Sequence, residues 1–219
     1  MSKTILSENQ KLIVSCISKN KEITDCFYFG GGTVLAEYYL HHRYSEDLDF
    51  FSTKEFESES IYIFFKNISK KCKILKIDFK QSFNRNLFFL YLDNDIIKTE
   101  FTYFPFENIE KCKTINNIKI NSLLDIAVNK VFTIYQNPRS RDFIDLFFII
   151  KEKKWNIDDL IKKAKIKFDW HIDYIQLGSQ FTKILELKDY PRMIKKINMQ
   201  EIENYFLNLA KKFSSKILK

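Results

Sequence analysis

The sequence predicts an α+β fold, with strands and helices intermixed through the first 120 residues and helices alone beyond. Three observations carry that reading. Apolar runs at 73–79, 87–92 and 96–104 alternate as strands do, with Asp93-Asn94 as a hairpin turn between the last two. Two shorter apolar strands, 26–29 and 48–51, enclose a cluster of three glycines. From residue 122 the apolar residues recur instead at helical spacing.

Taken in order, a helix at 8–18 leads to the strand ending at Phe29 and then to Gly30, Gly31 and Gly32. A helix at 33–42 follows, with Thr33 placed to cap it. After the strand at 48–51, Ile61, Phe64, Phe65 and Ile68 mark a helix at 58–71. The three strand runs come next, then helices at 122–136, 140–151, 157–166, 178–188 and 199–213. The expected domains are 1–120 and 121–219. No Pro/Gly linker parts them, so the helical domain is expected to pack closely on the first and contribute to its site.

Composition excludes several classes. No basic-apolar signal sequence opens the chain and no apolar run approaches membrane-span length, which predicts a cytoplasmic protein with no membrane contact. Cys16, Cys26, Cys72 and Cys112 are scattered, without zinc-ligand spacing, and read as reduced thiols. The abundance of Phe and Tyr, 22 and 11 residues, fits a low-GC genome and is assigned no function. Residues 1–110 carry a net charge of −2 and residues 111–219 one of +10. A basic half beside an acidic one suits a polyanionic substrate, although Lys-rich helices are also simply soluble.

The most informative stretch runs from Gly30 to Phe51. Glycines admit phosphate oxygens close to the backbone. Asp47 and Asp49, two apart in a strand, face the same side and can share a divalent metal. A glycine run alone reads as a flexible turn, and an Asp-x-Asp pair alone as a solvated strand face. Together, with Leu48, Phe50 and Phe51 burying the strand, they favour phosphate and metal. Glu100 projects from the less apolar face of its strand with Lys98 and Thr102. It reads equally as a third metal carboxylate or as half of a cross-strand ion pair with Lys98 or another lysine.

The run GGGTVLA…HHRYSEDLDFF resembles the glycine loop and DxD signature of the nucleotidyltransferase superfamily, in its AbiEii/AbiGii toxin branch. A second block, 123–149, resembles that family's lysine-bearing helix and Arg/Lys-Asp-x-x-Asp, through Lys130, Arg141, Asp142 and Asp145. Asn137 stands where the family often has Arg, and Arg139 lies close enough to substitute.

The resemblance implies a nucleotidyltransferase-like mixed sheet flanked by helices. It implies transfer of a nucleoside monophosphate from an NTP to a hydroxyl acceptor, with RNA such as a tRNA 3′ end as the foremost candidate. Asp47, Asp49 and Glu100 would hold Mg²⁺, or Mn²⁺ in its place, and Glu100 would serve the acceptor side. Gly31, Gly32 and Thr33 would cradle phosphates at a helix N-terminus. Lys130, set between Ile126 and Ile134 on its helix, would contact phosphate, and Asp142 would act close to the nucleotide. Arg43 and Ser45 precede the metal pair, and Arg43 would reach the triphosphate or hold the loop. Locally, Asp142 also suits the first turn of a helix, Asp145 could pair with Arg141, and His41 and His42 read as surface residues. A toxin of a toxin-antitoxin or abortive-infection system, with a cognate antitoxin, is implied in the same way. A small-molecule or protein acceptor, or a non-catalytic nucleotide- or RNA-binding protein on the same fold, is the alternative.

Overall fold

The computed structural model describes residues 4–217, with side chains as far as residue 214. It divides into two compact units. The first is Met1–Tyr39 with Tyr44–Ser122; the second is Leu40–Arg43 with Leu123–Lys219. The short segment Leu40–Arg43 therefore belongs to the helical unit although its neighbours on both sides belong to the first.

The first unit is built on a seven-stranded mixed sheet of order β3-β4-β5-β2-β1-β7-β6. Its strands are β1 (Tyr28–Gly30), β2 (Leu48–Ser52), β3 (Lys76–Ser82), β4 (Arg85–Tyr91), β5 (Ile96–Tyr103), β6 (Lys113–Ile115) and β7 (Ile118–Ile120). Strand β2 runs parallel to β5, and β1 parallel to β7; every other pairing is antiparallel. The nucleotidyltransferase-like mixed sheet is thus present. β6 and β7 were not expected, since three-residue strands offer too few alternations to register as a pattern.

Phenylalanine builds the closed face of this sheet. Phe29, Phe50 and Phe101 stack in successive strands with ring centroids 4.7 and 5.0 Å apart. Phe65, from α4 (Ser58–Cys72), closes the ladder at 5.3 Å from Phe88. Each buried ring removes a large apolar area from water, so this face needs little else to hold it. α1 (Glu8–Ile17) opens with a capping box between Ser7 and Gln10 and packs on α4, where the Sγ atoms of Cys16 and Cys72 lie 3.5 Å apart. Burial pushes the Cys72 thiol up to about 12, and no disulfide joins any of the four cysteines.

Two local expectations are corrected. Cys26 ends a short helix, α2 (Lys21–Cys26), rather than starting a strand; the Asn20 side chain accepts from the Ile23 amide and caps it. The helix expected at 33–42 begins earlier, as α3 (Gly31–Val34), and continues through π-helical turns at Leu35–Leu40. Thr33 does not cap it, because its hydroxyl donates to the Asp47 carbonyl.

The second unit consists of α5 (Leu123–Gln136), α6 (Ser140–Lys153), α7 (Ile157–Phe168), α8 (Tyr174–Thr182) and α9 (Met199–Ile217), with a 3₁₀ turn at Lys183–Leu185. α8 starts four residues before the expected 178 because Asp173 caps it. α5 packs on α6, α7 and α8, and α9 packs on α6 and α8. Phe143, Phe181, Phe206 and Phe213 fill the core. The strap Leu40–Arg43 joins through a bridge from Arg43 to Met193 and bonds from the Ile194 and Lys195 amides to the His42 carbonyl. Among the described residues no helix is long and apolar enough to cross a membrane.

Candidate active site

Strand β1 ends at Gly30, directly opposite Asp49 in β2. The chain then turns sharply through Gly31, whose φ is +71°, into α3. A Cβ at Gly31 would lie 2.3 Å from Asp49 Oδ2, so only glycine lets the backbone run this close to the carboxylate. Thr33 is fully buried and ties α3 to the segment just before β2. Glycine turn, Thr33, Asp47 and Asp49 therefore form one locally bonded group.

The third carboxylate arrives from the parallel neighbour, since Asp49 is the register partner of Glu100 in β5. Partners in register share a sheet face, and Asp47, just before β2, reaches the same side, where it meets Lys98 of β5. Two basic side chains meet these acids. Arg85 Nε and an Nη of its fork donate to the two Glu100 oxygens, each at 2.6 Å, and Lys98 Nζ donates to Asp47 at 3.1 Å. The Thr102 hydroxyl also donates to Glu100, at 2.8 Å. Burial acts to raise the Glu100 pKa, but Arg85, Thr102 and Lys98 outweigh it and hold the carboxyl below its ordinary value. Arg85 is in turn pushed up, by its bonds to Glu100 first and also by the charges of Asp49 and Asp47.

The donor set is chemically suited to a divalent cation, since carboxylate oxygens are hard ligands. Among the described residues, however, no three His, Cys, Asp or Glu side chains are gathered for an ion. Glu100 is turned toward Arg85 and Asp47 toward Lys98. The cross-strand ion pair weighed for Glu100 thus exists, with Arg85 rather than with a lysine as the bidentate partner.

The remaining residues singled out in the sequence, apart from Ser45, lie in the second unit. Lys130, only 9% exposed, places Nζ 2.7 Å from both Asp142 and Asp145. Asp145 is fully buried and accepts a fork from Arg43, Nε at 2.7 Å and an Nη at 2.8 Å, and lies 2.8 Å from His42 Nε2. Asp142 also accepts from the Arg139 amide, at 3.1 Å. Burial works against charge at both aspartates, but Lys130 and, at Asp145, Arg43 overcome it, leaving Asp142 low and Asp145 well below the carboxylate range. Burial lowers the His42 pKa, with Asp145 opposing, so the ring is held neutral. Lys130 and Arg43, with the exposed Arg139 3.4 Å from Asp142, thus offset the two carboxylates in one cluster.

This cluster changes three local readings. Asp145 pairs with Arg43, Lys130 and His42 instead of Arg141. His42 is wholly buried rather than a surface residue, because the strap carrying it runs into the helical unit. Arg43 is 2% exposed, and its fork is occupied by Asp145. Ser45, half-buried, lies in the first unit just before Asp47.

A mixed sheet with a glycine turn opening a helix beside an Asp-x-Asp strand, and a carboxylate in register on the next strand, is the arrangement of a nucleotidyltransferase. Comparison with known proteins gives the family. Residues 16–215 match the model of the nucleotidyl transferase AbiEii toxin family of type IV toxin-antitoxin systems, and the chain belongs to that family. An uncharacterized protein of Aquifex aeolicus is 29% identical over 192 residues, covering 87% of this chain and 89% of the relative. The crystal structure of JHP933 from Helicobacter pylori superposes with a TM-score of 0.58 at 20% identity, over 96% of this chain and 94% of that one. The nucleotidyltransferase toxin MenT4 of Mycobacterium tuberculosis does so with a TM-score of 0.55 at 12% identity, over 94% and 81%. These two likenesses establish the fold, and the family assigns nucleotidyltransferase activity.

Arg85 escaped the sequence reading, yet a signal for it existed. An Asp93-Asn94 turn puts Leu92 opposite Asp95, and counting back places Arg85 opposite Thr102 and diagonal to Glu100.

Proposed function

We propose that this nucleotidyltransferase toxin transfers a nucleoside monophosphate from an NTP to a hydroxyl at an RNA 3′ end, with Mg²⁺ as cofactor. The observation that supports this most is the register Gly30–Asp49–Glu100 across three adjacent strands, which sets a glycine turn and the acidic residues side by side. Asp47, Asp49 and Glu100 would hold the metal, which when bound would neutralise phosphate charge and lower the pKa of the acceptor hydroxyl. The amides at Gly31 and Gly32 would receive the triphosphate, with Thr33 fixing the turn through its bond to Asp47. Glu100, kept ionised by Arg85, would take the acceptor proton. Lys130 and Asp142 complete the proposal as catalytic residues, and Arg43 and Ser45 as residues supporting nucleotide binding. In a toxin-antitoxin pair the chain would be countered by a cognate antitoxin, in the cytoplasm.

One observation favours a second reading, a nucleotide- or RNA-binding protein without turnover: both Glu100 oxygens are engaged by Arg85. One experiment separates the two. The protein and its Asp49→Asn variant are incubated with Mg²⁺, total bacterial RNA and each α-labelled NTP in turn. Label in an RNA band, absent with the variant, upholds RNA transfer. Label only in protein or small molecules moves the acceptor, and label in nothing supports the binding protein.

A further inference from the structure

The first unit carries equal numbers of acidic and basic residues, yet one stretch within it is strongly basic. Residues 66–85 carry Lys66, Lys70, Lys71, Lys73, Lys76, Lys80 and Arg85 against the single acid Asp78. Structurally this stretch is the end of α4, the edge strand β3 and the start of β4, and each of these basic residues is exposed. Lys76, Lys80 and Arg85 share a sheet face with the half-buried rings of Phe89 and Tyr91, because β3 pairs Lys76 with Tyr91, and Asp78 with Phe89. Lys76 and Lys80 lie over those rings at 5.1 and 5.6 Å. Lysines on an edge strand also discourage pairing with another strand, which argues against a protein partner there.

The turn joining β3 to β4 supplies an independent observation. Ser82 pairs with Arg85, leaving Phe83 and Asn84 as a two-residue tip. Phe83 is 97% exposed and has a φ of +50°. A bulky residue is strained in this conformation, where Gly or Asn sits easily, and full exposure of the ring gives no packing to offset the strain. An aromatic held out in water at such a position is suited to stack on a nucleobase. Arg85, two residues on, reaches Glu100, so the tip lies beside the acidic site.

Resting on the RNA-transfer reading above, we propose that the strip from Lys66 to Arg85 is the docking surface for the single-stranded RNA acceptor. Its lysines meet the phosphates and Phe83 stacks on a base, leading the strand toward Glu100.

The test is direct binding of a fluorescein-labelled single-stranded RNA to the full chain without NTP, followed by anisotropy across a salt series. Phe83→Asn is expected to weaken binding about fivefold or more while raising the melting temperature, since Asn tolerates the left-handed backbone. A residue with only a structural role would not move those two readouts in opposite directions. The double variant Lys76→Gln/Lys80→Gln is expected to flatten the salt slope by about 1.4. Lys151→Gln/Lys162→Gln, in the helical unit, serves as the control. Wild-type affinity in both strip variants, loss confined to the control, or no RNA binding by the wild type overturns the proposal. Strip-dependent binding without transfer of label to RNA leaves this surface standing and removes the activity. Transfer to RNA by strip variants that bind as wild type does the reverse.

Discussion

Arg85 holds both oxygens of Glu100 from the adjacent antiparallel strand, at the diagonal position that the hairpin register dictates. Two roles meet in that fork. It keeps a mostly buried carboxylate ionised, and it occupies the lone pairs that a metal would need. Replacing Arg85 with Gln is therefore expected to raise the Glu100 pKa and to tighten Mn²⁺ binding near neutral pH by about tenfold, a factor corresponding to roughly 1.4 kcal/mol. Titration followed by electron paramagnetic resonance reads the change. Weaker Mn²⁺ binding would show that the fork supports the metal site instead of competing for it.

Gly31→Ala is expected to lower stability by about 1–3 kcal/mol, since it combines a left-handed backbone with a clash against Asp49. Transfer activity should fall further than the stability loss explains, because the clash moves a proposed metal ligand. Urea melts beside labelled-NTP assays separate the two effects. Activity equal to wild type in folded protein would remove the glycine turn from the site.

Asp49→Asn keeps the size of the side chain and removes its charge. It should abolish transfer while shifting the melting temperature by no more than about 2 °C. Retained transfer in this variant would refute the metal assignment.

Buried His42 and the buried carboxylates of both units predict acid sensitivity in two stages. His42 has a lowered pKa when folded, so as pH falls through about 6.5 the unfolded chain takes up a proton that the native chain refuses. Stability therefore declines first between that value and the lower folded one. Asp142, Asp145 and Glu100, all lowered, contribute stability that is present above their unfolded values near 4 and lost as pH drops through their folded ones. Denaturant melts from pH 8 to pH 3 should show both stages. His42→Gln should erase the upper one alone; its persistence would assign it to another group.

Asp145→Ala leaves Arg43 and Lys130 facing each other in a closed interior. A loss of about 3–5 kcal/mol is expected, against a smaller one for Asp142→Ala, whose surroundings are more open at Arg139. Equal losses would mean that Lys130, rather than Asp145, holds the cluster together.

Much of the first unit was legible because its signals are local. Alternation located β4 and β5, helical spacing located α4, and the glycines announced the turn. What stayed hidden depended on distance in the chain. Nothing in the sequence sets the parallel register of β2 on β5, so the pairing of Asp49 with Glu100 is visible only in the folded sheet. Helix spacing suggested Arg141 for Asp145, four residues away, but the actual partner is Arg43, 102 residues earlier. The short strands β6 and β7 and the π-helical turns after α3 carry no distinctive periodicity. Arg85 is a different case: counting along the hairpin would have found it.

The strap Leu40–Arg43 bears on how the chain can be dissected. A cut after Ser122, the natural place to trim a catalytic fragment, would carry His42 and Arg43 away from the aspartate that both bond. The complementary fragment would keep Asp145 and Lys130 but lose the guanidinium between their helices and the strap. Neither piece would inherit a finished interior. The two units are interleaved along the chain, and a faithful miniature of either would have to be joined from two separate stretches rather than clipped from one end.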